Sequence, residues 1–173
     1  MFSLFNSDFE KKSNENPPLS LYDISVNSID GKKINLDKFK GKFILFVNVA
    51  SNCGFTRQYS SLQKLYKENN NLVVIGVPCN QFGSQEPGNE KEISIFCSEK
   101  YNVSFPMTEK LYVRGPKQHD LYRWLTSKEL NGRKNSSVKW NFQKYLVDKN
   151  GNLVDYWYSL TSPLSSKITN YLK

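Results

Sequence analysis

The sequence predicts an α/β fold in which a central mixed β-sheet is flanked by helices on both faces. Two near-continuous apolar runs, FILFVNV at 43–49 and LVVIGV at 72–77, are typical of central strands that are buried on both faces. The stretch between them has helical spacing, so strand, helix and strand form a right-handed crossover unit. Two more extended segments and a closing helix follow near the C-terminus, which indicates further strands in the same sheet.

Composition and charge fit one globular domain with a solvated positive surface. The chain has 173 residues and a formal net charge of +8, but its lysines are spread along the sequence without a dense basic run. No motif combines lysines with aromatic residues, which disfavours a nucleic-acid binder, and no apolar run approaches the ~18 residues of a membrane span. We expect no stable membrane insertion, a flexible N-terminal arm over residues 1–18 and a single domain over 19–173.

A small hairpin and a helix are predicted on either side of the first buried strand. ISVNSI and KKINL flank Asp30-Gly31, a pair that favours a two-residue hairpin turn. After Thr56, apolar residues repeat at helical spacing as far as about Glu68, and three consecutive asparagines end the pattern. The chain therefore enters the fold through an N-terminal β-hairpin and continues from the first buried strand into a helix.

The second half of the chain predicts three more helices and another hairpin. Asn89 and Glu92 match the capping box of a helix start. A helical stripe covers 118–126, and Ser162-Pro163 is expected to begin the last helix. Between them, FQKYLV and NLVDYWY flank DKNG as hairpin strands. The order βαβ, a helix-bearing connection and then ββα is the thioredoxin-like arrangement.

One cysteine stands at the junction between the first buried strand and the helix that follows it. In NVASNCGFTRQY, residues 48–59, Cys53 lies just beyond the apolar run. A thiol at the start of a helix faces unsatisfied backbone N–H groups and the positive end of the helix dipole, and both favour the reactive thiolate. The alternative is a small buried thiol that only fills space. The junction position favours the reactive interpretation.

Three long motifs resemble the glutathione peroxidase family when they occur in this order. They are NVASNCGFTRQY, VPCNQFGSQEPGNEKEI at 77–93 and KWNFQKYLVDKNG at 139–151, and the resemblance runs from about Pro18 to the C-terminus. It implies a thioredoxin fold and the reduction of hydroperoxides, with no cofactor and no metal. The family's reactive residue is selenocysteine in many animal members, and it falls on Cys53 here.

The resemblance also implies three partner side chains for this thiol. They fall on Gln85, Trp140 and Asn141. Gln81, in the same loop as Gln85, is the neighbour that could hold this role instead. Attack on a peroxide leaves negative charge on the departing oxygen, and uncharged N–H donors stabilise that charge without an ion pair to the thiolate. Without the resemblance, hairpin packing explains Trp140, and loop hydrogen bonding explains Asn141 and Gln81.

The implied reaction leaves Cys53 as a sulfenic acid, which a second thiol must reduce. Cys97 resembles the resolving cysteine of the cysteine-containing, thioredoxin-dependent branch, so a Cys53–Cys97 disulfide is implied; the alternative for Cys97 is core packing. A disulfide needs Cα atoms within ~7 Å. A Cys97 that starts buried on its own helix therefore requires residues 89–100 to unwind. Cys79 is expected to be structural, and a role as a second resolving thiol stays open.

Thioredoxin is the implied electron donor, because it attacks disulfides by thiol exchange. Glutathione-using members of the family tend to be tetramers with an extra segment before the WNF motif, and residues 126–139 leave little room for one. The resemblance therefore implies a monomer with an open site, which suits bulky lipid hydroperoxides as well as hydrogen peroxide. Glutathione stays an alternative reductant.

Other functional classes fit these residues less well. A peroxide sensor that passes its oxidation to a partner protein uses the same cysteines and stays an alternative. A zinc module built from the three cysteines and His119 lacks the closely spaced pairs of structural zinc sites. The single histidine is also far from the Cys53 motif, which disfavours a papain-like enzyme. An odd number of cysteines without CxxC indicates a reducing compartment, the cytoplasm unless a leader directs the chain to an organelle.

Overall fold

The structure is a computed structural model that describes residues 16–173. Most of the predicted N-terminal arm, residues 1–15, lies outside the described residues. No helix within 16–173 is long and apolar enough to cross a membrane. The strands and α-helices of this range are β1 (Val26–Asn27), β2 (Lys33–Ile34), β3 (Phe43–Val49), α1 (Gln58–Glu68), β4 (Leu72–Pro78), α2 (Glu90–Tyr101), α3 (Asp120–Thr126), α4 (Lys128–Asn131), β5 (Lys144–Val147), β6 (Leu153–Trp157) and α5 (Ser166–Thr169).

Four strands form the predicted mixed sheet, in the spatial order β4–β3–β5–β6. β3 runs parallel to β4, as a crossover through α1 requires. β5 is antiparallel to β3, and β6 is antiparallel to β5. The carboxyl ends of β3 and β4 therefore lie at the same end of the sheet as the amino end of β5. Three loops of distant sequence positions meet there.

Helices cover both faces of the sheet, so the thioredoxin-like arrangement is confirmed. α1 and α2 pack on one face through buried residues such as Leu62 and Ile93. α3 packs on the other face through Leu121 and Trp124. Neighbouring residues of β3 join opposite clusters, because side chains alternate along a strand. The near-continuous apolar run of β3 follows from this burial on both sides.

The predicted N-terminal hairpin is present, with a longer turn than the sequence indicated. β1 and β2 pair in antiparallel fashion. Ser28 donates its N–H to Lys32 O at 2.6 Å. Residues 29–31 therefore form a three-residue loop and not the expected two-residue turn. Gly31 has a φ of 83°, the left-handed conformation that this loop type requires at its last position.

α2 begins and ends with caps formed by its own flanking residues. Asn89 Oδ1 accepts from Glu92 N–H (2.9 Å) and Glu92 Oε2 accepts from Asn89 N–H (3.3 Å), which is the predicted capping box. At the other end, Asn102 has a φ of 51°, and its N–H donates to the carbonyl groups of Cys97 and Ser98. The helix is thus delimited locally at both ends.

The last helix begins later than the sequence predicted. Ser162-Pro163 was expected at its start, but Ser165 N–H donates to Ser162 O (3.0 Å), so these residues form a turn. Pro163 suits the second position of such a turn as well as it suits a first helical residue. α5 begins at Ser166, with Ser165 as its N-cap.

Candidate active site

The chain between β3 and α1 forms a tight turn that carries Cys53. Cys53 N–H donates to Thr56 Oγ1 (2.9 Å), and the Thr56 hydroxyl donates to Ala50 O (2.8 Å). Thr56 N–H in turn donates to Cys53 O (3.1 Å). Because Thr56 is buried, its side chain holds the turn from the inside, and the Cys53 thiol stays partly exposed.

The sequence predicted Cys53 at the start of the helix, but in the structure Cys53 precedes α1. α1 begins at Gln58, and residues 54–57 form turns between the thiol and the helix. One turn donor replaces the expected helical donors, since Phe55 N–H donates to Cys53 Sγ at 3.4 Å. An N–H group directed at sulfur stabilises a thiolate more than a thiol. The turn therefore supplies the kind of interaction that was expected from the helix start.

Two of the predicted amide side chains contact each other. Asn141 Nδ2 donates to Gln85 Oε1 at 3.0 Å, and Asn141 is buried. Asn52 N–H, from the residue before Cys53, donates to Gln85 O at 3.0 Å. Gln85 thus joins the Cys53 turn to Asn141. Its Nε2 group donates to no residue within 16–173.

Trp140 borders the same amide pair. Its ring packs edge-on against Phe82, with 5.7 Å between the ring centroids, and 38% of the residue is exposed. A Cβ placed on Gly83 would lie 3.3 Å from Trp140 Cη2 and 3.4 Å from Gln85 Nε2. Gly83 therefore lets the ring and the amide approach the loop closely. The indole N–H of Trp140 donates to no other described residue, so it is free for a substrate atom.

Asn48, near the end of β3, holds the turn that carries Trp140 and Asn141. Its Nδ2 donates to Trp140 O (3.0 Å), and its O accepts from Phe142 N–H (2.6 Å). Phe142 has a φ of 62°, which is unfavourable for a bulky residue, and these bonds keep it there. β3 consequently positions this turn as well as the Cys53 turn that follows it.

These contacts bring Cys53, Gln85, Trp140 and Asn141 to one end of the sheet. The link from the cysteine is indirect and passes through the backbone of Asn52. Cys53 Sγ itself forms no hydrogen bond with the three side chains. All three side chains are uncharged, so N–H donors surround this end without an ion pair to the thiol.

Gln81 lies in the same loop as Gln85 but takes part in a different contact. Its Oε1 accepts from Val113 N–H (2.7 Å) and Arg114 N–H (3.2 Å), and its Nε2 donates to Arg114 O (2.9 Å). The amide of Gln81 thereby fastens two loops together. Cys79 is fully buried beside it, with Sγ 3.5 Å from Gln81 Oε1, and burial raises the pKa of its thiol.

Cys97 lies on the inner face of α2 and is 2% exposed. Burial raises the pKa of its thiol to about 11, although the neighbouring Tyr59 hydroxyl acts in the opposite direction. The Tyr59 hydroxyl makes no hydrogen bond of ordinary geometry with any residue that the structure describes. All three cysteines are free. In this conformation the Cys97 thiol is therefore protonated at neutral pH and shielded from solvent.

Glu86 is a buried carboxylate that the sequence patterns did not indicate. It is 1% exposed, and its Oε1 accepts from Ser51 N–H (3.2 Å) and from the Ser51 hydroxyl (2.6 Å). Its Oε2 has no hydrogen-bond partner among residues 16–173, and burial raises the pKa of the carboxyl. The residue lines a pocket of about 220 Å³ between the Cys53 turn and α2. A charged residue in GSQEPG is typical of an exposed loop, so its burial was not predictable.

Lys144, on β5, is a second buried ionisable group outside the predicted set. Its Nζ donates to Gln58 Oε1 (2.6 Å) and to Ser159 O (3.2 Å), and burial lowers the pKa of the ammonium group to about 7. A signal for it existed in the sequence. The alternation of FQKYLV places Lys144 on the same face as Leu146, which is a core position.

No group of three or more His, Cys, Asp or Glu side chains within 16–173 is arranged to hold a metal ion. His119, a member of the hypothetical zinc set, instead caps α3, because its Nδ1 accepts from Leu121 N–H at 3.1 Å. The functional groups at the site are therefore thiol, amide, indole and carboxyl groups.

The sequence is similar to known proteins over most of its length. The family model described as glutathione peroxidase matches residues 21–126. Glutathione peroxidase-like peroxiredoxin 2 of Saccharomyces cerevisiae is 44% identical over 148 residues, which cover 84% of this chain and 91% of the relative. Hydroperoxy fatty acid reductase gpx1 of Synechocystis sp. is 44% identical over 153 residues, which cover 83% of this chain and 89% of the relative. The crystal structure of Trgpx in apo form is 36% identical, covers 90% of this chain and 96% of its own, and has a TM-score of 0.69.

Proposed function

The chain belongs to the glutathione peroxidase family and is a peroxidase, and we propose that it reduces hydroperoxides through the thiolate of Cys53. One observation carries this assignment. The Cys53 turn is hydrogen-bonded through Gln85 to Asn141, at the end of the sheet where Trp140 also lies. A partly exposed thiol among uncharged N–H donors suits an anionic nucleophile that must develop and release negative charge.

In the first step, the Cys53 thiolate attacks one oxygen of the peroxide. A sulfur–oxygen bond forms as the oxygen–oxygen bond breaks, so sulfur is oxidised to a sulfenic acid. The other oxygen departs as hydroxide or alkoxide and takes up a proton to become water or an alcohol. We assign Gln85, Trp140 and Asn141 as the N–H donors to the thiolate and to the departing oxygen.

In the second step, the Cys97 thiolate attacks the oxidised sulfur of Cys53. The new disulfide forms as the sulfur–oxygen bond breaks, and the hydroxide leaves as water with the proton that Cys97 gave up. Cys97 cannot react while it is buried with a pKa of about 11, because only the thiolate is nucleophilic. α2 must therefore open before the disulfide forms. Cys79, buried and joined to Gln81, has no place in this cycle.

Thioredoxin is the proposed reductant of the Cys53–Cys97 disulfide. The name of the yeast relative includes peroxiredoxin, and residues 126–139 contain only the short helix α4 and no large insertion. The same feature supports a monomer with an open site. The name of the Synechocystis relative supports fatty acid hydroperoxides as substrates beside hydrogen peroxide. Glutathione is the reductant to test against thioredoxin.

Residues 19–173 are proposed to act as one peroxidase domain, because the two core clusters draw residues from Leu21 to Leu172. The three free cysteines support a reducing compartment, with the cytoplasm as the proposed location. Limited proteolysis tests the first point, since a single domain should yield one resistant fragment that retains activity. Cell fractionation tests the second.

The cysteine roles are tested by peroxide turnover with thioredoxin and, separately, with glutathione. Cys53→Ser should abolish peroxide reduction, because it removes the nucleophile. Cys97→Ser should retain the first oxidation step and lose thioredoxin-linked turnover by about a hundredfold or more, because no disulfide forms.

Cys79→Ser is the matched control, because it changes a buried thiol outside the proposed cycle. The thioredoxin-linked turnover of the folded variant should lie within about threefold of wild type, because the substitution displaces the reacting groups little. An inactive Cys79→Ser with a normal melting curve would transfer the resolving role to Cys79. If the wild type turns over peroxide as fast with glutathione alone as with thioredoxin, thioredoxin is not the specific reductant that we propose.

A further inference from the structure

Lys144 is a buried lysine without a counter-ion among residues 16–173. It has no exposed surface, and its neighbours across the sheet are Val47 on β3 and Trp157 on β6. No acidic side chain within 16–173 forms a salt bridge with it. Burial of an uncompensated ammonium group is strongly unfavourable. An apolar residue would suit this inward-facing strand position better, so stability alone does not explain the lysine.

The ammonium group joins two segments that are distant in the sequence. Lys144 Nζ donates to Gln58 Oε1 (2.6 Å) and to Ser159 O (3.2 Å). Gln58 Nε2 also donates to Ser159 O, at 2.7 Å. The three residues therefore form a closed set of hydrogen bonds between the start of α1 and the segment that follows β6.

Each of these two segments leads directly to the candidate active site. Gln58 N–H donates to Phe55 O (2.8 Å), within the turn whose Phe55 N–H contacts Cys53 Sγ. Ser159 donates its hydroxyl to Asn141 O. The Lys144 ammonium group thus stands between the turn that carries the thiol and the turn that carries the Asn141 amide.

We propose that Lys144 is a positioning residue of the peroxidase reaction, which fixes the Asn141 amide relative to the Cys53 thiol through Ser159 and Gln58. This inference rests on the proposed function. A displacement of about 1 Å between a nucleophile and the donors for its leaving group lowers a rate by up to about a hundredfold. A single Nζ atom that donates to both segments prevents such a displacement.

The protonation state of Lys144 does not break this link. With a pKa of about 7, the group is present in both forms at neutral pH. The ammonium form has three N–H donors and the neutral amine has two, and either form can serve both acceptors. A methionine fills a similar volume but has no donor, so it removes the link while it keeps the packing.

Lys144→Met tests the proposal by two reactions of the same thiol. Oxidation of Cys53 by hydrogen peroxide needs the thiolate and the positioned donors, whereas alkylation by iodoacetamide needs the thiolate alone. We expect the peroxide rate constant to fall about tenfold or more and the alkylation rate to stay within about threefold. The melting temperature should stay within a few degrees of wild type or rise, because the buried charge is removed. Lys67→Met, an exposed change on α1, is the matched control and should match wild type in all three measurements.

Ser159→Ala provides a second, milder variant that removes the hydroxyl bonded to Asn141 and leaves the carbonyl for Lys144. It should lower the peroxide rate in the same selective way. The Lys144→Met, Ser159→Ala double variant should be no slower than the slower single variant, because both changes break one link. If Lys144→Met does not fold, the selective loss in Ser159→Ala decides the question.

Three results would overturn the inference. The first is a wild-type peroxide rate in Lys144→Met. The second is an equal fall of the peroxide and iodoacetamide rates in Lys144→Met, together with a lower melting temperature. The third is a wild-type peroxide rate in Ser159→Ala. A wild-type protein that is inactive towards peroxide would instead overturn the proposed function, and this inference with it. An active wild type with an unimpaired Lys144→Met overturns only the role of Lys144.

Discussion

Cys53 is held by its own turn more than by the helix that follows it. One buried threonine, Thr56, bonds to the backbone of Cys53 and of Ala50, and Phe55 N–H contacts the sulfur. These interactions are formed within a few residues, so the turn is ordered before any substrate arrives. At the residue scale, the thiol is therefore pre-positioned, which reduces the reorganisation that attack on a peroxide requires.

Glu86→Gln should change the pH dependence of stability. Burial raises the pKa of Glu86, so the folded protein binds more protons than the unfolded chain above the ordinary carboxyl value. Wild-type stability therefore falls as the pH rises through that window. The glutamine keeps an oxygen for Ser51 but does not titrate. The stability of Glu86→Gln relative to wild type should increase from pH 4 to pH 7, measured by urea unfolding. Parallel curves for the two proteins would show that Glu86 is not perturbed by burial.

α2 has local caps at both ends and few contacts with the core. Its capping box at Asn89 and its left-handed cap at Asn102 delimit it locally. Its inner face joins the core through Ile93 and Cys97, and much of the helix surface is exposed. A helix with local caps and few buried anchors can open without loss of the whole fold. At the element scale, this separates the proposed movement of Cys97 from the stability of the sheet.

Oxidation of the protein should increase amide hydrogen exchange over residues 90–101. In the proposed cycle, the Cys97 thiol must leave the core to reach Cys53, and the helical hydrogen bonds around it open as it moves. Hydrogen–deuterium exchange with peptide mass spectrometry compares the reduced and oxidised proteins. Peroxide-treated Cys97→Ser, which cannot form the disulfide, should keep the exchange of the reduced state. Equal protection of α2 in both redox states of the wild type would contradict the opening.

The whole molecule creates the site by its strand directions. β3 and β4 are parallel and β5 is antiparallel to them, so three loops meet at one end of the sheet. Cys53 comes from the first loop, Gln85 from the second and Asn141 from the third. The buried Lys144 lies directly below this end. The fold therefore carries an unfavourable buried charge at the place where the proposed chemistry occurs.

Stability should rise between pH 7 and pH 9. The pKa of Lys144 is about 7 in the folded protein and 10.5 ordinarily, so the unfolded chain binds more protons in this window and unfolding becomes less favourable as the pH rises. The gain is about 2 kcal/mol over the window. Cys97, with a pKa raised from 9.0 to about 11, opposes this trend from about pH 8 upward, because its thiol begins to ionise there in the unfolded chain. Urea unfolding at pH 7, 8 and 9 measures the rise, and Lys144→Met should lack it. A rise that persists in Lys144→Met would assign it to other groups.

Local patterns in the chain were enough to predict the order of elements, the sheet with helices on both faces and the peptide segments that meet at the candidate site. Apolar runs, helical spacing and cap residues such as Asn89 act over a few residues, so they are visible without the fold. The segments around Cys53, Gln85 and Trp140 were also recognisable, because each is a long and unusual motif.

Contacts between distant residues decided the rest. The choice of Gln85 over Gln81 as the partner of Asn141 depends on a hydrogen bond between the second and third loops. The burial of Glu86 and the hydrogen-bond partners of Lys144 depend on what the rest of the chain places around them. Hydrogen-bond partners and desolvation are properties of the packed molecule, and for this reason only the tertiary structure could assign them.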